Sequence, residues 1–340
     1  MARMIADRTS GYGGAGGAIL VVSVLSCAIF ILARTNWYEL SEAASGVLDG
    51  RPHWRAYQNR LLGPWLVLGL SKVGISHRTA LIVFSALAFL VHNFLLAHFL
   101  RRLGQSPLAT TLWVLFFCTA FLLLQHRWFY TWDSIDLILF TCVFYAVYFG
   151  APDRVFLILF SIGLMNRESA LFIALFLVLD GASLLWQKSG EAKGKAAARL
   201  ILGVVLLILG GAATKLARDF LFVERQWGGA DLDHALLGNH LRFADNVRDI
   251  FYVNWFNRNV LHTAPLVLFL SFLILTCPWQ TRRQRVGTLI ALALFGGVLI
   301  FGAFNETRML LPFLTLFTFC VVDLRSGAAA TTGQPTQSRL

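Results

Sequence analysis

The chain has 340 residues, 57% of them hydrophobic and only 14% charged, with a formal net charge of +11. A soluble protein would carry about 25% charged residues, so this balance, with a mean hydropathy of +0.66, excludes a water-soluble enzyme and points to an all-α polytopic membrane protein. The positive charge is not a nucleic-acid signal, because part of it is the basic collar expected on the cytoplasmic side of a membrane protein.

The N-terminal stretch 1–17 places Arg3 and Arg8 ahead of the apolar run 18–33. The run is long and no small-x-small cleavage site follows it, so it reads as an uncleaved first span, 17–34. An outer loop comes next, with Glu39, Glu42, Asp49 and Arg60. Its last part, 61–75, is apolar, contains Gly63-Pro64 and is shorter than the ~20 residues a span requires. It is expected to be a helix lying in the outer interface.

Further spans are expected at 79–100, 107–125, 132–150, 154–166, 168–187, 200–222, 264–279, 286–304 and 309–325. The one at 154–166 is short and is either separate from the next or continuous with it. About ten spans place both termini on one side, together with the basic connections at Arg101-Arg102, Arg154, 188–199 and Arg282-Arg283-Arg285. That side should be cytoplasmic. Counting 61–75 as a span would turn the basic connection at Arg282 outward, against this rule. One integral domain, 1–325, is expected, with a disordered tail at 326–340. A second outer loop, 223–264, mixes Trp227, Tyr252, Trp255 and Phe256 with Arg225, Arg242, Arg248 and Arg258. That mixture suits an interfacial position or carbohydrate stacking.

Four charged clusters interrupt the apolar chain, and the ten-span topology puts all four at one membrane face. In the first outer loop, Glu39 and Glu42 share one face of a helical turn, and either could serve as a general base or stand as a solvated acid. His126-Arg127 precedes Asp133, with Asp136 one turn further into the span. An unpaired Asp there would cost roughly 2.5–3.5 kcal/mol, which Arg127 could offset as a structural pair or as part of a substrate site. Asn166-Arg167-Glu168 reads either as a structural pair or as a fork for phosphate or sugar hydroxyls. Glu306-Thr307-Arg308 is well placed for a lipid phosphate. The five cysteines fall inside apolar runs without metal-ligand spacing, and the eight histidines are scattered. No metal site is assigned, and His92 and His98 read as helix-packing residues. There is no phosphate-binding Gly-rich loop, nucleotide-binding strand pattern, His-x-x-x-His or Gly-x-Ser-x-Gly.

The order of Glu39, Leu61-Leu62-Gly63-Pro64-Trp65-Leu66, Phe99-Leu100-Arg101-Arg102, Tyr130-Thr131-Trp132-Asp133, Asn166-Arg167-Glu168 and Glu306-Thr307-Arg308-Met309-Leu310-Leu311-Pro312 resembles the type C (GT-C) membrane glycosyltransferases. That group contains protein O-mannosyltransferases and lipid A aminoarabinose transferases. The likeness is strongest over 38–154, and Tyr38-Glu39 stands where the family usually carries an Asp-Glu doublet. The resemblance implies an inverting glycosyltransferase of a bacterial inner membrane with an outward-facing site. It would use a polyprenyl-phosphate sugar as donor and a glycan, lipid or protein as acceptor. Glu39 or Glu42 would be the base. Arg308, Arg167 and Arg60 would bind the lipid phosphate, with Asp133 and Glu168 positioning those arginines or holding sugar hydroxyls, and Arg127 and Glu306 are further substrate-binding candidates. A polysaccharide polymerase or ligase, and a non-enzymatic transporter or lipid flippase, are the alternative readings.

Overall fold

The computed structural model describes residues 2–48, 60–124, 129–187, 192–221, 243–248, 282–301, 308 and 311–331. Among them no strand occurs, and the helices in chain order are α1 (Ala2–Ala33), α2 (Trp37–Leu48), α3 (Leu62–Ser71), α4 (His77–Arg102), α5 (Pro107–Leu124), α6 (Thr131–Tyr148) and α7 (Asp153–Asn166). A 3-10 turn, Glu168–Ala170, leads into α8 (Leu171–Gln187), followed by α9 (Ala192–Leu221), α10 (Phe243–Arg248), α11 (Arg282–Phe301) and α12 (Leu311–Thr331).

Among the described residues six stretches are long and apolar enough to cross a membrane: Gly16–Ala33, His77–Arg102, Pro107–Leu124, Thr131–Tyr148, Glu168–Trp186 and Lys193–Ala217. Their outward faces are apolar too, with Leu25 and Leu32 on α1 and Ile201, Ile208, Leu209 and Leu216 on α9 all exposed. That surface suits hydrocarbon, and the protein is a helical membrane bundle. The α3 helix spans about 15 Å, half the ~30 Å hydrocarbon thickness, so the 61–75 segment does not form a crossing helix. The candidate span 264–279 lies outside the described residues. The last helix runs to Thr331, beyond the expected start of a disordered tail at 326, because the small residues Ala328–Ala330 carry high helix propensity.

Helix α6 is the most enclosed of the six and packs against α3, α4, α7 and α12. Contacts along it show which ends of the helices belong together. At its C-terminal end the Tyr145 ring stacks on Phe99 of α4, with centroids 3.9 Å apart. The Tyr148 hydroxyl donates to the Phe319 carbonyl of α12 at 2.9 Å. Positive-φ glycines close both α4 and α6 at this end, Gly104 (φ 83) and Gly150 (φ 64). A side chain with a Cβ would be strained in that helix-ending conformation.

Arg199 of α9 bridges Asp153 at the start of α7 (3.2 Å) and Asp180 of α8 (3.0 Å). Arg282, opening α11, also reaches Asp180 at 3.2 Å. The basic connections near Arg199 and Arg282 therefore meet at one end of the bundle. Since Asp153 and Asp180 share a partner there, α7 and α8 form an antiparallel hairpin rather than one helix. The chain reverses at Arg167, whose backbone is extended between them.

Without water between helices, association depends on close backbone approach and polar contacts. On α9, a Cβ added at Gly203 would lie 2.7 Å from the Val178 nitrogen and 2.9 Å from the Ala174 carbonyl oxygen. Only glycine lets α8 and α9 approach so closely. Between α1, α4 and α5 the buried Asn93 amide donates to Ser23 Oγ and Cys118 Sγ, both at 3.3 Å. His92 stacks on Phe117 with centroids 4.2 Å apart, and His98 packs beside Phe99 and Tyr145. Both histidines thus contribute to helix packing. Cys27, Cys118 and Cys142 are free thiols.

Candidate active site

Asp133 occupies the third residue of α6, where its carboxylate can turn back onto the helix start. Its Oδ2 accepts the Tyr130 backbone N–H at 2.9 Å, satisfying one of the donors that a helix N-terminus leaves unmet. The same carboxylate holds two arginines from distant parts of the chain. Arg308 Nη1 donates to Oδ2 at 2.8 Å, and Arg167 Nη1 donates to Oδ1 at 2.9 Å. The Asp133 and Arg308 side chains are each only 2% exposed, so this is a buried, charge-assisted contact. The Arg308 guanidinium also lies over the Tyr130 ring, 4.8 Å from its centroid.

One turn deeper, Asp136 is held from the α7–α8 reversal. Asn166 Nδ2 donates to its Oδ1 at 2.9 Å and to the Trp132 carbonyl at 3.0 Å. Ser169 Oγ donates at 2.9 Å, and Arg167 Nη1 lies 3.5 Å from Oδ2. A carboxylate inside a span is thereby surrounded by donors, as such a position requires. Arg127, the partner expected for it, lies outside the described residues. Arg167 is the arginine that takes part.

The residue two positions ahead of α3 reaches the same place. This residue, Arg60, is buried. Its Nη2 donates to Glu168 Oε2 at 3.2 Å, and its guanidinium lies 5.3 Å from the Trp132 ring centroid. Just beyond it, Gly63 packs onto Thr131, the first residue of α6. A Cβ there would sit 2.6 Å from Thr131 Cβ, so glycine is what lets α3 lie against the site. Arg34, which ends α1, donates from Nη1 to the Phe129 carbonyl at 3.0 Å. It lies over the Phe30, Trp37 and Phe129 rings. Arg34 is within electrostatic reach of Asp133, which favours its charge, and of Arg308, which opposes it.

Among the described residues the site thus joins Arg34, Arg60, Arg167 and Arg308 with Asp133, Asp136 and Glu168. The arginines come from four separate segments and meet at the end of the bundle opposite Arg199 and Arg282. No protein-family model, curated protein or solved structure matches the chain.

The two candidate bases sit on α2, which buries Trp37, Leu40 and Ala44 and leaves Glu39 and Glu42 exposed. Glu39 is in the first turn of α2, so it stands on the solvent side rather than in the half-buried setting expected for a general base. Glu306 lies outside the described residues. Among the described residues no group of three or more His, Cys, Asp or Glu side chains could hold a metal ion. Two charged residues escaped the sequence reading. Arg34 closes the first apolar run at the outer side, and Asp180 interrupts the run 168–187. The available signal was the same in both cases, a lone charge beside or inside hydrocarbon, which needs a partner.

Proposed function

We propose that this protein is a GT-C-like membrane glycosyltransferase, with about ten spans, an outward-facing site and both termini cytoplasmic. It would move a sugar from a polyprenyl-phosphate donor to a cell-envelope acceptor. The observation that carries the reading is the convergence of four guanidinium groups from separate segments at one end of an apolar bundle. Guanidinium groups suit a phosphate because they remain charged and present planar forks of N–H donors. Placed beside the membrane surface, they suit a phosphate whose lipid tail stays in hydrocarbon.

The chemistry follows from this arrangement. An acceptor hydroxyl oxygen attacks the anomeric carbon, its proton passes to Glu39, and the bond from that carbon to the phosphate oxygen breaks. The electron pair leaves with the lipid phosphate, whose growing negative charge Arg308, Arg167 and Arg60 stabilise. Asp133 is ill suited to be the base, because two arginines already occupy its oxygens. Its role is to hold them in place, and Glu168 does the same for Arg60. Glu39 remains the favoured base because it is accessible and lies in the first turn of α2, the helix whose first residue, Trp37, packs against Arg34.

The test is transfer of radiolabelled sugar from synthetic polyprenyl-phosphate monosaccharides by the full chain in nanodiscs. Wild type is expected to release polyprenyl phosphate and form a new glycosidic bond. Glu39→Gln should lose turnover while unfolding like wild type, since an exposed surface substitution typically changes stability by less than about 0.5 kcal/mol. Full turnover in Glu39→Gln would remove it as the base. Vectorial lipid or sugar movement without a new bond would favour the transporter reading.

A further inference from the structure

A second feature lies away from the arginines. A cleft of about 380 Å³ opens between α2, the end of α3 and the start of α4. Its polar side is made by Ser41, Glu42, Ser45, Ser71 and His77, and its apolar side by Leu48, Leu68 and Ile75. We propose that this cleft is the acceptor subsite and binds a sugar ring.

The chemistry of the lining supports that choice. A sugar offers several hydroxyl groups that both donate and accept, and one face of C–H groups. Glu42 is an acceptor able to take two adjacent hydroxyls, and His77 can donate or accept. Ser71 Oγ donates to the Leu68 carbonyl at 2.7 Å, and Ser45 Oγ to the Glu42 carbonyl at 3.3 Å. With its proton committed inside the helix, the Ser71 oxygen is an acceptor at the cleft wall. The aliphatic residues match the ring's C–H face. The volume falls within the ~300–1,000 Å³ range of small-molecule sites. A phosphate is disfavoured here, because among the described residues no Lys or Arg lines the cleft and Glu42 would repel it.

The position is as telling as the lining. Both α2 and α3 lead from the arginine cluster to the cleft. The start of α2 packs by Trp37 against Phe30 and beneath Arg34, while its later turns line the cleft. The start of α3 follows Arg60 and packs by Gly63 on Thr131, while Leu68 and Ser71 line the cleft. Gly63 and Ser71 are eight residues apart, about 12 Å along a helix. An acceptor held in the cleft must bring its hydroxyl to within about 3–3.5 Å of the anomeric carbon, so its reacting end extends from the cleft toward Arg60. The assignment of the ring as acceptor rests on the glycosyltransferase reading, but the binding of a sugar does not.

The experiment is saturation-transfer NMR on the full chain in nanodiscs, with methyl glycosides of glucose, galactose, mannose, N-acetylglucosamine and arabinose as probes. At least one should show transfer to its ring protons, without any donor present. Ser45→Phe, which fills the cleft, and Glu42→Gln, which removes the charged acceptor without changing shape, should each weaken that probe about tenfold, or 1.4 kcal/mol. Absence of transfer to every glycoside, or binding that survives both substitutions, would overturn the cleft as a sugar site. Sugar binding without any glycosyl transfer would leave the cleft standing and sink the enzyme reading. Transfer without binding here would do the reverse.

Discussion

Replacing Asp133 by Asn tests whether one buried carboxylate organises the site. The wild-type group accepts from Arg308, Arg167 and the Tyr130 N–H at 2.8–2.9 Å, in a position closed to water. Asparagine keeps the shape and one acceptor oxygen but removes the charge and turns an amide toward a guanidinium. Breaking a buried pair by removing one partner costs about 3–5 kcal/mol. The loss at Arg308 falls in that range, whereas Arg167 retains Asp136 at 3.5 Å and loses less. A net destabilisation of about 4 kcal/mol, or a thousandfold shift in the unfolding equilibrium, is expected. The assay is SDS-induced unfolding in mixed micelles, followed by tryptophan fluorescence. The double variant Asp133→Asn with Arg308→Met removes the stranded charge and should recover about 2 kcal/mol. A single variant within about 0.5 kcal/mol of wild type, or a double variant showing the plain sum of both losses, would refute the argument. The same logic makes Arg308→Ala a poor probe of catalysis, since it leaves buried Asp133 with Arg167 and the Tyr130 N–H alone and so changes stability as well as the site.

Asp180→Asn should destabilise the protein by about 2 kcal/mol in the same unfolding assay, because it removes the buried partner of Arg282 and of Arg199, which keeps only Asp153, short of the full cost of stranding a buried charge. It should leave donor-phosphate affinity unchanged, as the two clusters occupy opposite ends. Gly203→Leu should push α9 from α8, at a cost of about 1–3 kcal/mol for overpacking, and unchanged unfolding would mean the helices do not meet there. On a background lacking all five native cysteines, single cysteines at Tyr38 and Val73 should react with an impermeant maleimide in intact cells. Cysteines at Arg102 and Lys193 should react only after lysis, and labelling of all four from outside would break the proposed topology.

Much of the architecture was legible from hydropathy alone. In hydrocarbon a helix satisfies its own backbone, so each apolar run from 79–100 to 168–187 maps onto an observed helix with shifts of a few residues, while the helix of the run 200–222 begins eight residues earlier, at Ala192. The short length of 61–75 was enough to exclude a crossing helix. Lone charges such as Asp133, Asp136, Arg167 and Arg308 announced themselves for the same reason, since each needs a partner in an apolar setting. Which partner each one takes was not legible. Arg308 and Asp133 are 175 positions apart in the chain, and Asp136 is served by Asn166, Ser169 and Arg167. Such pairings depend on how helix ends come together, which periodicity does not encode. The reversal at Arg167, the inclusion of Arg34 and the cleft between α2 and α3 belong to the same class. They exist only when separate helices dock, because glycines at 63 and 203 set how closely backbones approach and buried charges accept only one arrangement of neighbours.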